Sequence, residues 1–227
     1  HAESLRKSKT VKIKAGSDFL TAQSTTSKNN YGYYGHTKLK SLTKYFIGIL
    51  KKDFRNNYMT KNFSHTVDDH TPFVYFPLQV MPERTILISS PFNTNQIEII
   101  KHISKSLPIG YRLCVKEHPY QVTREWRKTS FYNEILSIPN VQLLHHSIKT
   151  EDVMNKCSLV ITINGAAGLE AAMHRKPSIL FSDFSYSILP SVHQLKSIDE
   201  LPTAIRQSLS KKVNPNDVAK YLNLLEA

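Results

Sequence analysis

From residue 71 onward, apolar residues collect in short unbroken runs, and between the runs they recur every three or four positions. The runs at 73–76, 111–115, 141–144, 159–163 and 178–181 predict β-strands. A further apolar stretch at 85–90 leads into a turn marked by Pro91, Asn93 and Asn95. Ile97, Ile100, Ile103 and Leu107 predict a helix over 96–106. Similar texture predicts helices over 124–137, 150–155, 165–174, 199–210 and 216–225. The strands are apolar throughout instead of alternating. That pattern indicates an α/β fold, a parallel sheet covered by helices on both faces.

The front of the chain reads differently. Residues 1–37 are polar, rich in Ser, Thr, Asn and Lys, and turn-like at 29–35. Leu39, Leu42, Tyr45/Phe46, Ile49/Leu50 and Phe54 then recur at helical spacing among lysines, which predicts a basic amphipathic helix over 38–56. Its two readings are a helix packed on a domain with its lysines in water, and a face for an anionic membrane or an acidic partner. The chain is therefore read as a basic segment, 1–70, followed by an α/β domain, 71–227.

Charge sharpens this division. The net charge is +12 over 227 residues, and residues 1–70 hold 13 Lys/Arg against 5 Asp/Glu. An anionic partner fits such a balance. A hydrophobic content of 40% supports a core and excludes wholesale disorder. No apolar run approaches the roughly 18 residues that a membrane-spanning helix needs. The chain begins with His1 and shows no signal-peptide pattern, so the expectation is a cytoplasmic fragment lacking an N-terminal part, peripheral at the inner face of the plasma membrane. Cys114 and Cys157 lie inside apolar runs and read as buried thiols of a reducing compartment.

In an open parallel sheet, ligands bind beyond the carboxyl ends of the strands. Three predicted strand ends carry chemistry. The first is followed by Pro77-Leu78-Gln79-Val80-Met81-Pro82-Glu83-Arg84, and the second by Lys116-Glu117-His118-Pro119. The third leads into Asn164-Gly165-Ala166-Ala167-Gly168-Leu169-Glu170. A strand, a turn of Gly and Ala, then a helix presents unobstructed backbone N–H groups to a phosphate; the other reading of such small residues is close packing. Glu170 either accepts from ribose hydroxyls or complements the helix dipole. His118 either donates to a phosphate and a leaving nucleotide, with Lys116 adding charge, or is an ordinary loop histidine. The turn lacks the Lys-Ser/Thr pair of a P-loop and the full G-x-G-x-x-G of a dinucleotide site. No G-x-S-x-G is present, and no His, Cys, Asp or Glu pair has metal-ligand spacing. His145 and His146, read as strand neighbours, are expected to point to opposite faces.

Taken in order, Phe76-Pro77-Leu78-Gln79 with Pro82-Glu83, Lys116-Glu117-His118-Pro119, Gly165-Ala166-Ala167-Gly168-Leu169-Glu170-Ala171 and Lys176-Pro177-Ser178-Ile179-Leu180-Phe181 resemble the capsule polysaccharide biosynthesis family. That family includes the Kdo transferases of bacterial capsule assembly. The resemblance covers about residues 70–195 and implies the Rossmann-like C-terminal half of a GT-B glycosyltransferase, which binds a nucleotide-activated sugar such as CMP-Kdo for transfer to a glycan or glycolipid acceptor. It implies that His118 and Pro119 face the nucleotide phosphate, with Lys116 and Glu117 beside them. Gly165, Ala166, Ala167 and Gly168 would hold that phosphate with backbone amides, Asn164 would lead into them, and Glu170 would meet the ribose. Gln79, Glu83 and Arg84 would line the cleft, with Glu83 and His118 as the catalytic pair. No cofactor or metal is implied, and no nucleic acid partner.

Ala167 stands where many relatives carry a small hydroxyl residue, and residues 1–70 are too few for an acceptor domain. A glycerophosphotransferase or a UDP-sugar 2-epimerase-like protein is the enzymatic alternative. A basic, non-catalytic binding module is the other.

Overall fold

A computed structural model describes residues 38–68, 70–81, 93–118, 121 and 126–226. The predicted apolar stretch at 85–90 and the turn opening at Pro91 lie outside the described residues, as do Glu83, Arg84 and Pro119. The chain divides into two units after Lys61. In the first, helix α1 (Lys38–Asn62) runs six residues beyond the predicted end at 56. Among the described residues, no helix is long and apolar enough to cross a membrane.

Among its described residues, the second unit has six strands: β1 (Phe73–Pro77), β2 (Arg112–Lys116), β3 (Val141–Leu144), β4 (Leu159–Thr162), β5 (Ser178–Leu180) and β6 (Val192–Gln194). Every pairing is parallel, in the order β3-β2-β1-β4-β5-β6. The helices are α2 (Gln96–Ser106), α3 (Thr129–Leu136), α4 (Thr150–Lys156), α5 (Ala167–Met173), α6 (Leu201–Leu209) and α7 (Pro215–Glu226). The α/β expectation therefore stands as a Rossmann-like, doubly wound sheet.

Alternate strand residues serve the two faces. Phe73, Tyr75, Cys114, Leu144 and Val160 pack against Val153, Met154 and Cys157 at α4 and Ala171 of α5. On the other face, α3 meets β3, α6 meets β4 and β5, and α2 lies against both α3 and α6. Helix α7 covers α5, with Val218 and Tyr221 packed beside Ala172, Tyr186 and Leu189. Burial pushes the Cys114 and Cys157 thiols each up to about 12, as suits small apolar core residues.

Three local readings change. Helix α3 begins at Thr129, with Lys128 extended, so it is shorter than the predicted 124–137. Strand β6 was not expected, because its three residues Val-His-Gln form no apolar run. Finally, β3 ends at Leu144, which leaves His145 and His146 in the following loop. Freed from strand alternation, their rings lie 4.1 Å apart instead of on opposite faces.

Candidate functional site

Strand order reverses between β1 and β4, so the connections on either side leave a crevice at those two carboxyl ends. Gln79, two residues past β1, spans it. Its side-chain Nε2 donates to the Thr162 hydroxyl at 3.0 Å and to the Asn164 carbonyl at 3.1 Å, both at the end of β4. The loop that carries Gln79 has left the ladder, so its backbone groups need other partners. Two glutamines supply them. Gln96 accepts from the Gln79 N–H at 2.9 Å and donates to its carbonyl at 3.2 Å. Gln121 does the same for Met81, at 2.8 and 3.0 Å.

The second strand end is held by a buried ion pair. Arg127 Nε donates to Glu117 Oε2 at 2.8 Å, with side chains only 7% and 0% exposed. The Tyr132 hydroxyl donates to the same oxygen at 2.8 Å, and the His118 N–H donates to Oε1 at 2.9 Å. Arg127 also donates through Nη2 to the Gln79 carbonyl, and its guanidinium lies 4.7 Å over the Phe131 ring. One guanidinium thus ties the loops after β1 and β2 together. Glu117 is buried, and its carboxylate, bonded to Arg127, Tyr132 and the His118 N–H, positions this loop. His118 follows it with an exposed side chain. Lys116 leaves the strand on the opposite face, is buried, and donates to the Thr150 hydroxyl at 2.9 Å.

The third strand end is the glycine turn. Gly165 adopts φ +89°, a left-handed conformation that a side chain would strain. Its N–H donates to Asn164 Oδ1 at 2.7 Å, so of the four amides expected at a phosphate this one is already taken. Asn164 Nδ2, by contrast, is buried without a partner. Among the described residues no side chain caps α5, and the first paired amide of the helix is Glu170, bonded to the Ala166 carbonyl at 2.9 Å. The first-turn N–H groups of Ala167, Gly168 and Leu169 therefore have no acceptor within the helix. Ala166 is exposed and Ala167 half-buried. Glu170 is exposed on α5.

Gly168 has a different task. A Cβ there would lie 2.7 Å from Tyr186 Cε2 and 2.8 Å from its hydroxyl oxygen. That buried tyrosine donates to the Gly165 carbonyl and so clamps the turn from below. Ser182 adds a 2.6 Å bond to the Ile163 carbonyl. Burial raises the Tyr186 hydroxyl to about 12, which keeps it a neutral donor.

Gln79, Asn164 and Gly165 are therefore joined directly, and the Glu117–His118 loop reaches them through Arg127. Thr162, Gln96, Gln121, Arg127, Tyr132 and Tyr186 were not singled out in the sequence. Only Thr162 carried a signal there, as a polar residue inside an apolar run. Among the described residues, no group of three or more His, Cys, Asp or Glu is placed to hold a metal. A cavity of about 540 Å³ opens at the β6 edge, lined by residues including His193, Lys196 and Glu200, and lies outside all three strand-end segments.

Topology and glycine turn together define a Rossmann-like α/β domain. The chain belongs to the capsule polysaccharide biosynthesis protein family, whose profile matches residues 9–211. No curated protein matches the sequence at a significant level. Among solved structures, similarity is found to the β-Kdo 2,7 transferase KpsC of Thermosulfurimonas dismutans, at 14% identity over 75% of this chain and 51% of that one, TM-score 0.47. The UDP-GlcNAc 2-epimerase of Methanocaldococcus jannaschii is similar at 12% identity over 75% and 48%, TM-score 0.46. HepE of Anabaena, solved with UDP-glucose, is similar at 14% identity over 67% and 44%, TM-score 0.47. The chain spans about half the length of these structures.

Proposed function

We propose that this chain is the donor-binding half of a GT-B glycosyltransferase of surface polysaccharide synthesis. In this reading a nucleotide-activated sugar, with CMP-Kdo as the leading candidate, lies across the ends of β1, β2 and β4. Its phosphate sits on the amides of Ala166, Ala167 and Gly168. His118 donates to the departing nucleotide phosphate while an acceptor hydroxyl of a glycan or glycolipid attacks the sugar carbon. Charge developing on the leaving group is then met by donors that are already oriented. Glu83, Arg84 and Pro119 complete the site in this proposal, Glu83 as the second catalytic group. Glu170 receives the ribose, and Lys116 supports the site only from behind β2. Exposed Ile47, Leu50 and Phe54 on α1, with exposed Lys51 and Lys52, support a peripheral contact with an anionic membrane.

The observation that carries the reading is the uncapped start of α5 at the sheet's switch point, held in place by Gln79 and Tyr186. A thermal-shift panel of CMP, UMP, CMP-sugars and UDP-sugars tests it. A cognate ligand at a hundred times its dissociation constant adds about 2.7 kcal/mol. His118→Ala is expected to lower transfer at least about tenfold with the fold intact, about 1.4 kcal/mol on the barrier. A flat panel, or unchanged transfer by that variant, contradicts the proposal.

A further inference from the structure

The loop after β3 carries a cluster that the glycine turn does not use. Lys116 is 3% exposed, and its ammonium has the Thr150 hydroxyl as its hydrogen-bond partner and no ion pair among the described residues. Two of its N–H bonds are therefore left without protein acceptors. Lys116 pairs in register with Leu144, so its side chain runs out beside the loop that begins at His145. Thr150 closes the same loop.

His145 is 7% exposed, and its Nδ1 accepts from the Ser147 N–H at 3.2 Å. The same Nδ1 lies 2.8 Å from the Ser147 hydroxyl, and Nε2 is buried without a partner among the described residues. His146 Nδ1 is likewise buried and unpartnered. The rings of His65, His145 and His146 lie side by side, tilted against one another, with centroids 4.4 and 4.1 Å apart. A buried cation with a single neutral acceptor and buried ring nitrogens without partners are costly, and an oxyanion is the ligand that suits a lysine beside histidines.

We propose that Lys116, His145 and His146 form a second oxyanion site, for a phosphate-type or carboxylate group. Lys116 on β2 and the histidines after β3 stand two and three strand spacings from β4, roughly 10 and 14 Å, so the site lies apart from the glycine turn. One phosphate cannot reach both, and the inference stands whether or not the nucleotide-sugar reading does.

Binding is linked to protons. Burial first, then the charges of His146 and His65, hold His145 down at about 4. Burial first, then Lys116 and His65, hold His146 low. From α4 the charged group acting on Lys116 is Asp152. With both histidines depressed, the unfolded chain binds protons that the folded chain does not. The empty protein therefore loses stability as pH falls from about 6.5 toward 4. A bound anion favours the protonated rings, so binding takes up protons and tightens as pH falls.

The test follows the histidine ring resonances of the labelled chain during titration with sulfate, which keeps its charge from pH 7.5 to 5.5, and separately with acetate. Saturating shifts of His145 and His146 are expected, at least fivefold tighter at pH 5.5 and abolished in Lys116→Met. Saturation by sulfate alone assigns a phosphate-type ligand; saturation by acetate assigns a carboxylate. Should Lys116→Met not fold, His146→Gln, at a half-buried position, is expected to weaken binding at least threefold. Shifts confined to the amides of residues 166–168, no saturation by either anion, or unaltered binding by a folded variant would overturn the site.

Discussion

Replacing Arg127 by Met is expected to destabilise the sheet unit by about 3–5 kcal/mol, because it leaves the Glu117 carboxylate buried without its counter-charge. The pair itself need not be strongly stabilising, since both ions lose water when buried. What the variant exposes is the asymmetry: an intact pair is close to neutral, while half a pair is expensive. Glu117 would keep the Tyr132 hydroxyl and the His118 N–H as donors, but neither carries charge. The Gln79 carbonyl would lose a donor at the same time. Urea unfolding measures the loss, and a double variant with Glu117→Gln isolates the coupling. The double variant should be more stable than Arg127→Met alone. A loss under about 0.5 kcal/mol for the single variant, the range of ordinary surface changes, would mean that the two groups are not paired in solution.

Gly168→Ala is the second large effect. Two influences oppose each other. Alanine is favoured over glycine inside a helix by about 1 kcal/mol, less in a first turn. Against it stands a contact at 2.7 Å with the Tyr186 ring, which is 1% exposed and has Phe184 packed 5.0 Å away. The ring has little room to retreat, and overpacking of this kind costs about 1–3 kcal/mol. The clash wins, and the melting temperature should fall by roughly 3–8 °C. Moving Tyr186 also removes the donor on the Gly165 carbonyl, so nucleotide binding should weaken more than stability does. Tyr186→Phe separates the two, since it keeps the ring and deletes that bond. An alanine variant more stable than the parent would contradict this close packing of Gly168 on Tyr186.

These two variants also mark what could be read from the sequence. Strands β1 to β5 were legible because a sheet buried on both faces needs continuous apolar runs, and those runs stand out. Strand β6 was not, because an edge strand of three residues can be Val-His-Gln and still pair. At the site, Gln79 and the glycine turn were legible as residue types at strand ends. Of the two readings of these small residues, a phosphate cradle and close packing, Gly168 fits the second through its contact with Tyr186, while Gly165 supplies a left-handed turn. Arg127, Gln96 and Tyr186 were hidden because their importance lies in contacts across 48, 17 and 21 residues of chain. Lys116 and Glu117 were legible as charged residues at a strand end, but not that one bonds Thr150 and the other Arg127 and Tyr132, since those partners lie elsewhere in the chain. The histidines after β3 were misplaced by one boundary, since a strand ending at Leu144 no longer dictates where their rings point.

The central claim is that a nucleotide phosphate rests on the turn beginning at Gly165 with His118 beside it. Amide and imidazole spectra recorded during titration with CMP and UMP test it most directly. Saturating shifts are expected at Ala166, Ala167, Gly168 and the His118 ring, all with one dissociation constant. Saturable binding that moves residues 193–207 at the β6 edge and leaves that turn still would contradict it.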